Sequence, residues 1–258
     1  MSNYIVGPRH IPHIPRHSAL SDDTFDHIRE LILHYEIAPG EHISIDGLSR
    51  AMGVSQTPIR EALARLESEG LVIKEALKGY AATSLITKKE FDDLFQFRLL
   101  IEPWGAAQAA ENINEAGREA LQRELTLADE ATMQEDSFVA ITEHDARFHN
   151  LVARLSGNNS VMMAYERTHC HLHLYRLYFS EKSQNNQRNK NSVDENAVTD
   201  LFRHYYSADT GHLSIAEHKE VTAAIIAKDP ERARAALHAH IAGSREFLIK
   251  TMDVLGRP

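Results

Sequence analysis

Cysteine is nearly absent from this chain, which has one thiol, Cys170, in 258 residues. A single thiol cannot form an intramolecular disulfide, so a disulfide-stapled secreted fold is excluded and a reducing compartment is expected. Long apolar runs are also missing, since none approaches the roughly 20 residues that a membrane span needs. The first twenty residues lack the continuous apolar stretch of a secretory signal. The sequence therefore predicts a cytoplasmic protein with no membrane association.

Positive charge is scarce as well. The chain has 28 Lys and Arg against 37 Asp and Glu, a net charge of −9. Residues 1–85 have 8 basic and 11 acidic side chains, a net charge of −3. Non-specific nucleic-acid binding depends on neutralising phosphates, so a general affinity for nucleic acids is not expected. A local cluster of contacts, repeated by a dimer on two half-sites, remains compatible with this charge.

The remaining composition, 43% hydrophobic and 25% charged, is that of an ordinary globular protein. The length suits one large domain or two modest ones. Residues 1–20 have two arginines, three histidines and no acidic residue. We predict a flexible arm there, with an arm that touches DNA as the alternative.

The segment Gly53–Val72, GVSQTPIREALARLESEGLV, predicts a tight turn, an amphipathic helix and the start of a strand. Ser55 or Thr57 can cap the helix, and a proline is tolerated in its first turn. The outward side chains at the front are short hydrogen-bonding groups and one cation, which are types that reach phosphates and base edges. They are Ser55, Gln56, Thr57 and Arg60.

Neighbouring segments complete a small domain. A helix capped by Asp22 or Asp23 precedes the turn, a short helix covers about 46–52, and strands are predicted at 71–74 and 80–84. Helix, helix, turn, helix and hairpin form a winged helix-turn-helix over residues 21–85. Its wing offers Lys78, Gly79 and Tyr80 as further DNA contacts. The alternative is a small helical domain with no role at DNA.

Only helical periodicity follows the capping box at Thr87. We predict a mainly α protein whose residues 86–258 form an all-α bundle. Its helices are expected at about 115–134, from 137, at 161–179, at 198–206, from a second capping box at Ser214, and from 231 to 254. The polar stretch 180–196 is predicted to be a loop.

Sixteen histidines make chance clusters common. His169, His171 and His173 resemble a metal-binding tract by composition, but on a helix the first two lie on nearly opposite faces. The favoured interpretation is the polar flank of a helix.

A second set has better geometry. Asp145 and His149 share one helical face, and His218 and His240 lie on the apolar sides of two later helices. One carboxylate and three imidazoles on facing helices suit Zn²⁺, Ni²⁺ or Mn²⁺. Spacing alone leaves open the alternative of solvated or hydrogen-bonded histidines.

Both halves together resemble the GntR family of transcriptional regulators, in its FadR-like branch with an FCD ligand-binding domain. In the N-terminal half the resemblance rests on Leu48, Gly53-Val54-Ser55, Thr57-Pro58, Arg60-Glu61-Ala62-Leu63, Leu66, Glu69-Gly70-Leu71-Val72 and Gly79. In the C-terminal half it rests on Arg98-x-x-x-Glu102, Asp145-x-x-Phe148-His149, Glu217-His218 and His240.

The resemblance implies that Asp145, His149, His218 and His240 are metal ligands. It also implies a homodimer, most simply a repressor, that leaves a palindromic operator when a metabolite enters the helical domain. Arg98 is expected to pair with a small carboxylate effector, and an internal salt bridge to its helical neighbour four residues on is the alternative. A metal sensor without an organic effector and a metal-dependent enzyme are the rival functions. We expect no enzyme, because no separate general base stands at a defined spacing.

Two features depart from the family pattern. Gln56 and Asp46 stand where arginines are often found, so operator preference cannot be transferred. The interval between the second and third ligand is also longer than usual. An insertion at 180–211 accounts for the excess, as a lid over the ligand cavity or as a surface loop.

Overall fold

The first third of the chain forms three helices, with apolar residues spaced three or four apart, and a small sheet. The computed structural model describes residues 19–132, 137–174, 176 and 211–254. The elements in this part are α1 (Ala19–Leu33), β1 (His42–Ile43), α2 (Ile45–Met52), α3 (Gln56–Ser68), β2 (Val72–Glu75) and β3 (Gly79–Ala82). Together they form the predicted winged helix-turn-helix.

The turn between α2 and α3 follows from local sequence. Ser44 caps α2, its hydroxyl accepting a hydrogen bond from the backbone N–H of Gly47. Gly53 ends that helix with φ 67°, a left-handed conformation that glycine adopts without steric cost. Ser55 occupies the cap position of α3, although its side chain makes no capping hydrogen bond. The buried face of α3 is Pro58, Ile59, Ala62, Leu63 and Leu66.

The sheet has the strand order β1-β3-β2, with antiparallel pairing throughout. Val72 pairs with Ala82 and Lys74 with Tyr80. The edge strand β1 was not predicted, because two residues are too short to show an alternating pattern. Leu66, Leu71 and Val72 close the core beneath the sheet.

The second part is entirely helical where the structure describes it. Its elements are α4 (Lys88–Asn112), α5 (Glu115–Ala131), α6 (Ser137–Leu155), α7 (Asn159–Glu166), α8 (Gly211–Ile226) and α9 (Pro230–Val254). The Thr87–Glu90 capping box at the start of α4 is confirmed. The long helices α4 and α9 pack together, and α6 and α8 lie against α4, so the three helices with predicted ligands face one interior.

Several local predictions were wrong. Asp22 lies in the first turn of α1 and Ser214 lies buried within α8, so neither caps its helix. The helix predicted at 161–179 is interrupted after Glu166 and resumes at 170–174, with His169 at φ 46° in the break. Helix periodicity cannot detect such a break, because the apolar pattern continues through it.

Other predictions fall outside the described residues. They concern the arm at 1–20 apart from the start of α1, the loop at 180–196, the helix at 198–206 and nearly all of the insertion at 180–211. Within the part of the chain that the structure describes, none of the helices combines the length and apolar character needed to cross a membrane.

Candidate metal centre and DNA-contact surface

Four buried side chains from three helices converge in the helical domain. Asp145 and His149 are one turn apart on α6, His218 lies on α8 and His240 on α9. All four are at most 8% exposed, and one ligand atom from each lies within 4.8 Å of the others. The tertiary fold thus brings together the four residues that the sequence singled out.

The spacing of these atoms fits a coordination shell. Asp145 Oδ1 lies 3.6 Å from His149 Nε2, 3.6 Å from His218 Nε2 and 3.9 Å from His240 Nε2. His240 Nε2 lies 3.2 Å from the Nε2 atoms of both other histidines. Metal–nitrogen bonds of about 2.0–2.1 Å in a tetrahedron give ligand–ligand edges of roughly 3.3–3.4 Å. The measured edges bracket that value.

Carboxylates orient two of the three imidazoles from behind. His149 Nδ1 lies 2.5 Å from Glu102 Oε2, and His240 Nδ1 lies 2.8 Å from Glu217 Oε2. An ionised carboxylate only accepts hydrogen bonds, so each Nδ1 carries the proton and donates it. In the neutral form of each ring, Nε2 therefore presents its lone pair to the centre, which is the form that binds a metal ion.

The third imidazole is oriented by a longer relay. His218 Nδ1 lies 2.9 Å from His144 Nε2, and His144 Nδ1 lies 2.9 Å from Glu124 Oε1. Glu124 also accepts from Arg147 Nε at 3.0 Å. Because His144 donates to the carboxylate, its Nε2 accepts from His218, whose Nε2 again faces the centre with a lone pair. Sequence reasoning missed His144 and Glu124, since no periodicity shows a partner on a neighbouring helix.

The donor set itself fits a cation. Lone pairs on neighbouring Nε2 atoms at 3.2 Å repel one another unless a positive charge lies between them. Burial, followed by the neighbouring imidazoles, holds the pKa of His218 well below its usual range, which favours the neutral ligand form. Although burial raises the pKa of Asp145, the nearby His149, His218 and Arg98 hold it well below its usual range. Although burial lowers the pKa of His149, the adjacent carboxylates of Glu102 and Asp145 raise it above its usual value, so a metal ion would displace a proton from this imidazole.

Arg98 reaches this centre from α4, but it is engaged. Its Nε donates to Glu102 Oε1 at 2.5 Å, and its Nη1 lies 3.1 Å from Cys170 Sγ. Its Nη2 lies 3.3 Å from His149 Nδ1. The guanidinium is only 2% exposed. The internal salt bridge, given above as the alternative, is therefore formed in this structure.

The front of α3 presents the predicted DNA-contact side chains to solvent. Ser55, Gln56, Thr57 and Arg60 are exposed. Arg60 Nη2 donates to Gln56 Oε1 at 3.2 Å, and Gln56 Nε2 donates to Asp46 Oδ1 at 2.5 Å. Asp46 thus ties Gln56 to α2 and places a negative charge beside the predicted contact surface.

The wing exposes two of its three predicted DNA-contact residues and buries the third. Lys78 and Gly79 are exposed, as a DNA contact requires. Tyr80 is only 8% exposed because its ring belongs to the winged-helix core, so its position favours packing over the DNA contact we predicted. Leu77 at the wing tip is fully exposed with φ 65°, and the sequence reasoning did not select it.

The histidine tract at 169–173 does not take part in the centre. Within the described ranges, the only group of histidine, cysteine and acidic residues close enough to hold a metal ion is the one built on Asp145. Burial lowers the pKa of His171 and of His173 to about 4, so both are neutral at ordinary pH. The interpretation of this tract as something other than a ligand set agrees with this geometry.

Comparison with known proteins gives two family matches in the same order as the two domains. The profile of the bacterial regulatory proteins of the gntR family matches residues 20–81, and that of the FCD domain matches residues 93–243.

Individual relatives agree with this assignment. The chain is 26% identical over 153 residues to the HTH-type transcriptional regulator YdhC of Bacillus subtilis (strain 168), covering 59% of this chain and 68% of that protein. It is 29% identical over 158 residues to a protein of Escherichia coli (strain K12) named as regulator of an L-lactate dehydrogenase operon, covering 54% of this chain and 59% of that one. The solved structure of E. coli McbR/YncC superposes with a TM-score of 0.60 at 19% identity, covering 91% and 99% of the two chains.

Proposed function

We propose that this chain, which belongs to the GntR family of bacterial regulatory proteins with an FCD domain, is a metal-dependent sensor of a small carboxylate. Its family makes it a DNA-binding transcriptional regulator rather than an enzyme. The proposal covers three functions, namely holding a divalent ion, recognising the carboxylate and contacting an operator. Each is supported by a separate group of residues.

The observation that carries the proposal is the orientation of the three imidazoles. His149, His218 and His240 each have an acceptor behind Nδ1, and each turns Nε2 toward Asp145. In the neutral imidazoles all three Nε2 atoms are acceptors, so a cation among them, and not a hydrogen bond between two neutral rings, would satisfy their lone pairs. This donor set suits Zn²⁺, Ni²⁺ or Mn²⁺.

The effector is proposed to bind beside this centre. A divalent ion in such a site supplies a coordination position that a carboxylate oxygen can take. Arg98 provides the matching guanidinium, which binds carboxylates in bidentate fashion. The Glu102 carboxylate already accepts hydrogen bonds from Nε and Nη2 of Arg98. An effector carboxylate therefore has to displace Glu102 from the guanidinium or bind it together with Glu102. The name of the E. coli relative, which refers to an L-lactate dehydrogenase operon, is consistent with a small carboxylate.

The operator is proposed to be read by α3 and the wing. Ser55, Gln56, Thr57 and Arg60 are the helix contacts and Lys78 and Gly79 the wing contacts, while Tyr80 is omitted because its ring is buried. We propose a cytoplasmic homodimer on a palindromic site, acting as a repressor.

One exposed strip on α4 is proposed as part of the dimer contact. Phe97, Leu100 and Trp104 are 39%, 78% and 37% exposed on successive turns of α4. A second copy of the chain is the proposed partner, because the chain is proposed to be a homodimer and these three apolar side chains of the long helix α4 are left exposed in the single chain.

The test uses the full-length protein loaded with zinc. Duplexes selected by this protein from a random-sequence library serve as the DNA probe, and mono- and dicarboxylates, including L-lactate, are titrated in. We expect a carboxylate to reduce DNA affinity at least about tenfold with zinc present and to have no effect after chelation. Release by zinc alone would favour the metal-responsive alternative. No release under any condition would contradict the sensor proposal.

A further inference from the structure

One short segment belongs to both domains at once. We name residues 168–174 together with 176 the bridging segment. Cys170 and Leu174 are buried in the core of the helical domain, whereas Leu172 is buried in the core of the winged helix. Within this single turn of helix, residues four apart share one face and the residue between them lies opposite. The segment is therefore packed into two hydrophobic cores.

One face of the bridging segment touches the candidate effector site. Cys170 Sγ lies 3.1 Å from Arg98 Nη1, and the same guanidinium lies 3.3 Å from the ring of His149. Arg98 is thus held between a metal-ligand candidate and the bridging segment. A rearrangement of Arg98 cannot leave Cys170 in place, because both side chains are buried.

The opposite face touches the end of the proposed recognition helix. Gly70 follows α3 with φ 76°, and a Cβ atom placed on it would lie 2.7 Å from the ring of His169. Only glycine allows both this conformation and this close approach. His169 itself has φ 46°, an uncommon value for a residue with a side chain.

The far end of the segment is tied to the connection between the domains. The buried guanidinium of Arg176 donates to the backbone carbonyls of Thr83 and Ser84, which follow strand β3. The carbonyl of Arg176 accepts a hydrogen bond from the hydroxyl of Tyr35. The segment therefore contacts the turn that follows α3 and the residues that connect β3 to α4.

We infer that the bridging segment transmits the state of the Arg98 site to the recognition helix and the wing. The physical route is Arg98 to Cys170, then across one helical turn to Leu172 and His169, and from there to the end of α3. This inference rests on the proposed function, since it takes the metal centre as the input. It assigns to the tract at 169–173 a coupling role in place of metal binding.

Hydrogen exchange measured by mass spectrometry tests the route without a known operator or effector. Full-length protein is compared after chelation and after loading with Zn²⁺ alone. In the unsubstituted protein we expect zinc to slow exchange on the order of tenfold in α6 and also in peptides covering the end of α3 and β2. In Leu172→Ala we expect the slowing in α6 to persist and the slowing in α3 and β2 to disappear.

Ile43→Ala is the matched control. Ile43 is 4% and Leu172 is 6% exposed, and both are buried in the winged-helix core, but Ile43 comes from strand β1 and not from the bridging segment. Ile43→Ala should speed exchange throughout the winged helix in both states and still preserve the difference made by zinc.

The outcomes separate the two proposals. Slowing in α6 without any zinc effect in α3 of the unsubstituted protein would overturn the coupling route and leave the metal centre intact. A zinc effect in α3 that survives Leu172→Ala would also overturn the route. No bound zinc by elemental analysis and no slowing in α6 would contradict the metal centre itself, and the inference with it.

Discussion

The polar side chains at the front of α3 are exposed to solvent, whereas those of the centre around Asp145 are buried. Gln56, Thr57 and Arg60 lie on the surface, where water satisfies them and where their removal leaves the core intact. His218 and His240 lie in the interior, where every polar atom needs a partner. Substitutions on the surface should therefore change DNA affinity alone, and substitutions in the centre should change metal affinity and stability together.

The largest expected effect separates the two regions most clearly. His240→Ala removes one of four ligands, and we expect metal affinity to fall by more than about 100-fold, because even outer partners contribute about 10–100-fold. The rise in Tm on adding metal should be lost as well, since a bound ion stabilises only the folded state. Elemental analysis and thermal unfolding with and without chelator measure both.

His238→Ala is its control, because His238 lies on the same helix but is exposed. We expect it to keep the metal content and the metal-dependent rise in Tm. If His240→Ala also kept its metal, the four-ligand centre would have to be abandoned.

The next effect tests the surface region. Arg60→Ala should weaken binding to the selected DNA by about 1–3 kcal/mol, roughly fivefold to 160-fold, because an exposed guanidinium at the front of α3 is placed to contact base edges or phosphates. The Tm should stay within about 1 °C, since surface substitutions change stability little. Gel-shift titration and thermal unfolding measure the two quantities.

Arg65→Ala provides the comparison on the same helix. The Arg65 guanidinium lies over the ring of Phe25 and pairs with Asp22, so it faces α1 and not the proposed DNA surface. We expect DNA affinity within about threefold of the unsubstituted protein. An equal loss of affinity from both substitutions would show that the front of α3 is not the contact surface.

The smallest effect concerns the bridging segment between the two regions. Burial, followed by the charge of Arg176, lowers the pKa of His173 to about 4. Its unfolded-state pKa is about 6.5, so between those values the unfolded chain binds more protons and stability falls as the pH falls. His173→Gln should therefore reduce the drop in Tm between pH 7 and pH 5 by about 2–4 °C.

The exposed His27 supplies the control for this prediction. His27→Gln should leave the same drop unchanged, because His27 is exposed on α1. An unaltered drop in His173→Gln would mean that the buried imidazole does not contribute to acid sensitivity.

Much of the winged helix could be predicted because its signals are local. Gly53 ends one helix by adopting a left-handed conformation, and the apolar spacing of Ile59, Leu63 and Leu66 defines the buried face of the next. Tyr80 was misjudged because strand alternation does not say which face meets the core until the sheet has a partner layer. Strand β1 was missed because two residues carry no period.

The candidate centre was predictable only in part. Asp145 and His149 are one turn apart, and His218 and His240 lie on the apolar sides of their helices, which a sequence shows directly. The resemblance to a family pattern then favoured metal ligands over hydrogen-bonded histidines. The relay from His218 through His144 to Glu124 joins three helices, so no spacing within any one helix predicts it. The break at His169 was also hidden, because the apolar pattern continues through it.

The sequence by itself therefore determined the exposed face of α3 and the helical position of each of the four ligand candidates, since each position depends only on residues within a few turns of it. Only the tertiary structure decided which nitrogen of each histidine faces Asp145, that Arg98 is already paired with Glu102, and that Leu172 leaves one domain's core to fill the other's. The orientation of the histidines and the placement of Leu172 depend on contacts between residues far apart in the chain, such as His149 and His240 at 91 positions, and such contacts exist only after the helices have packed.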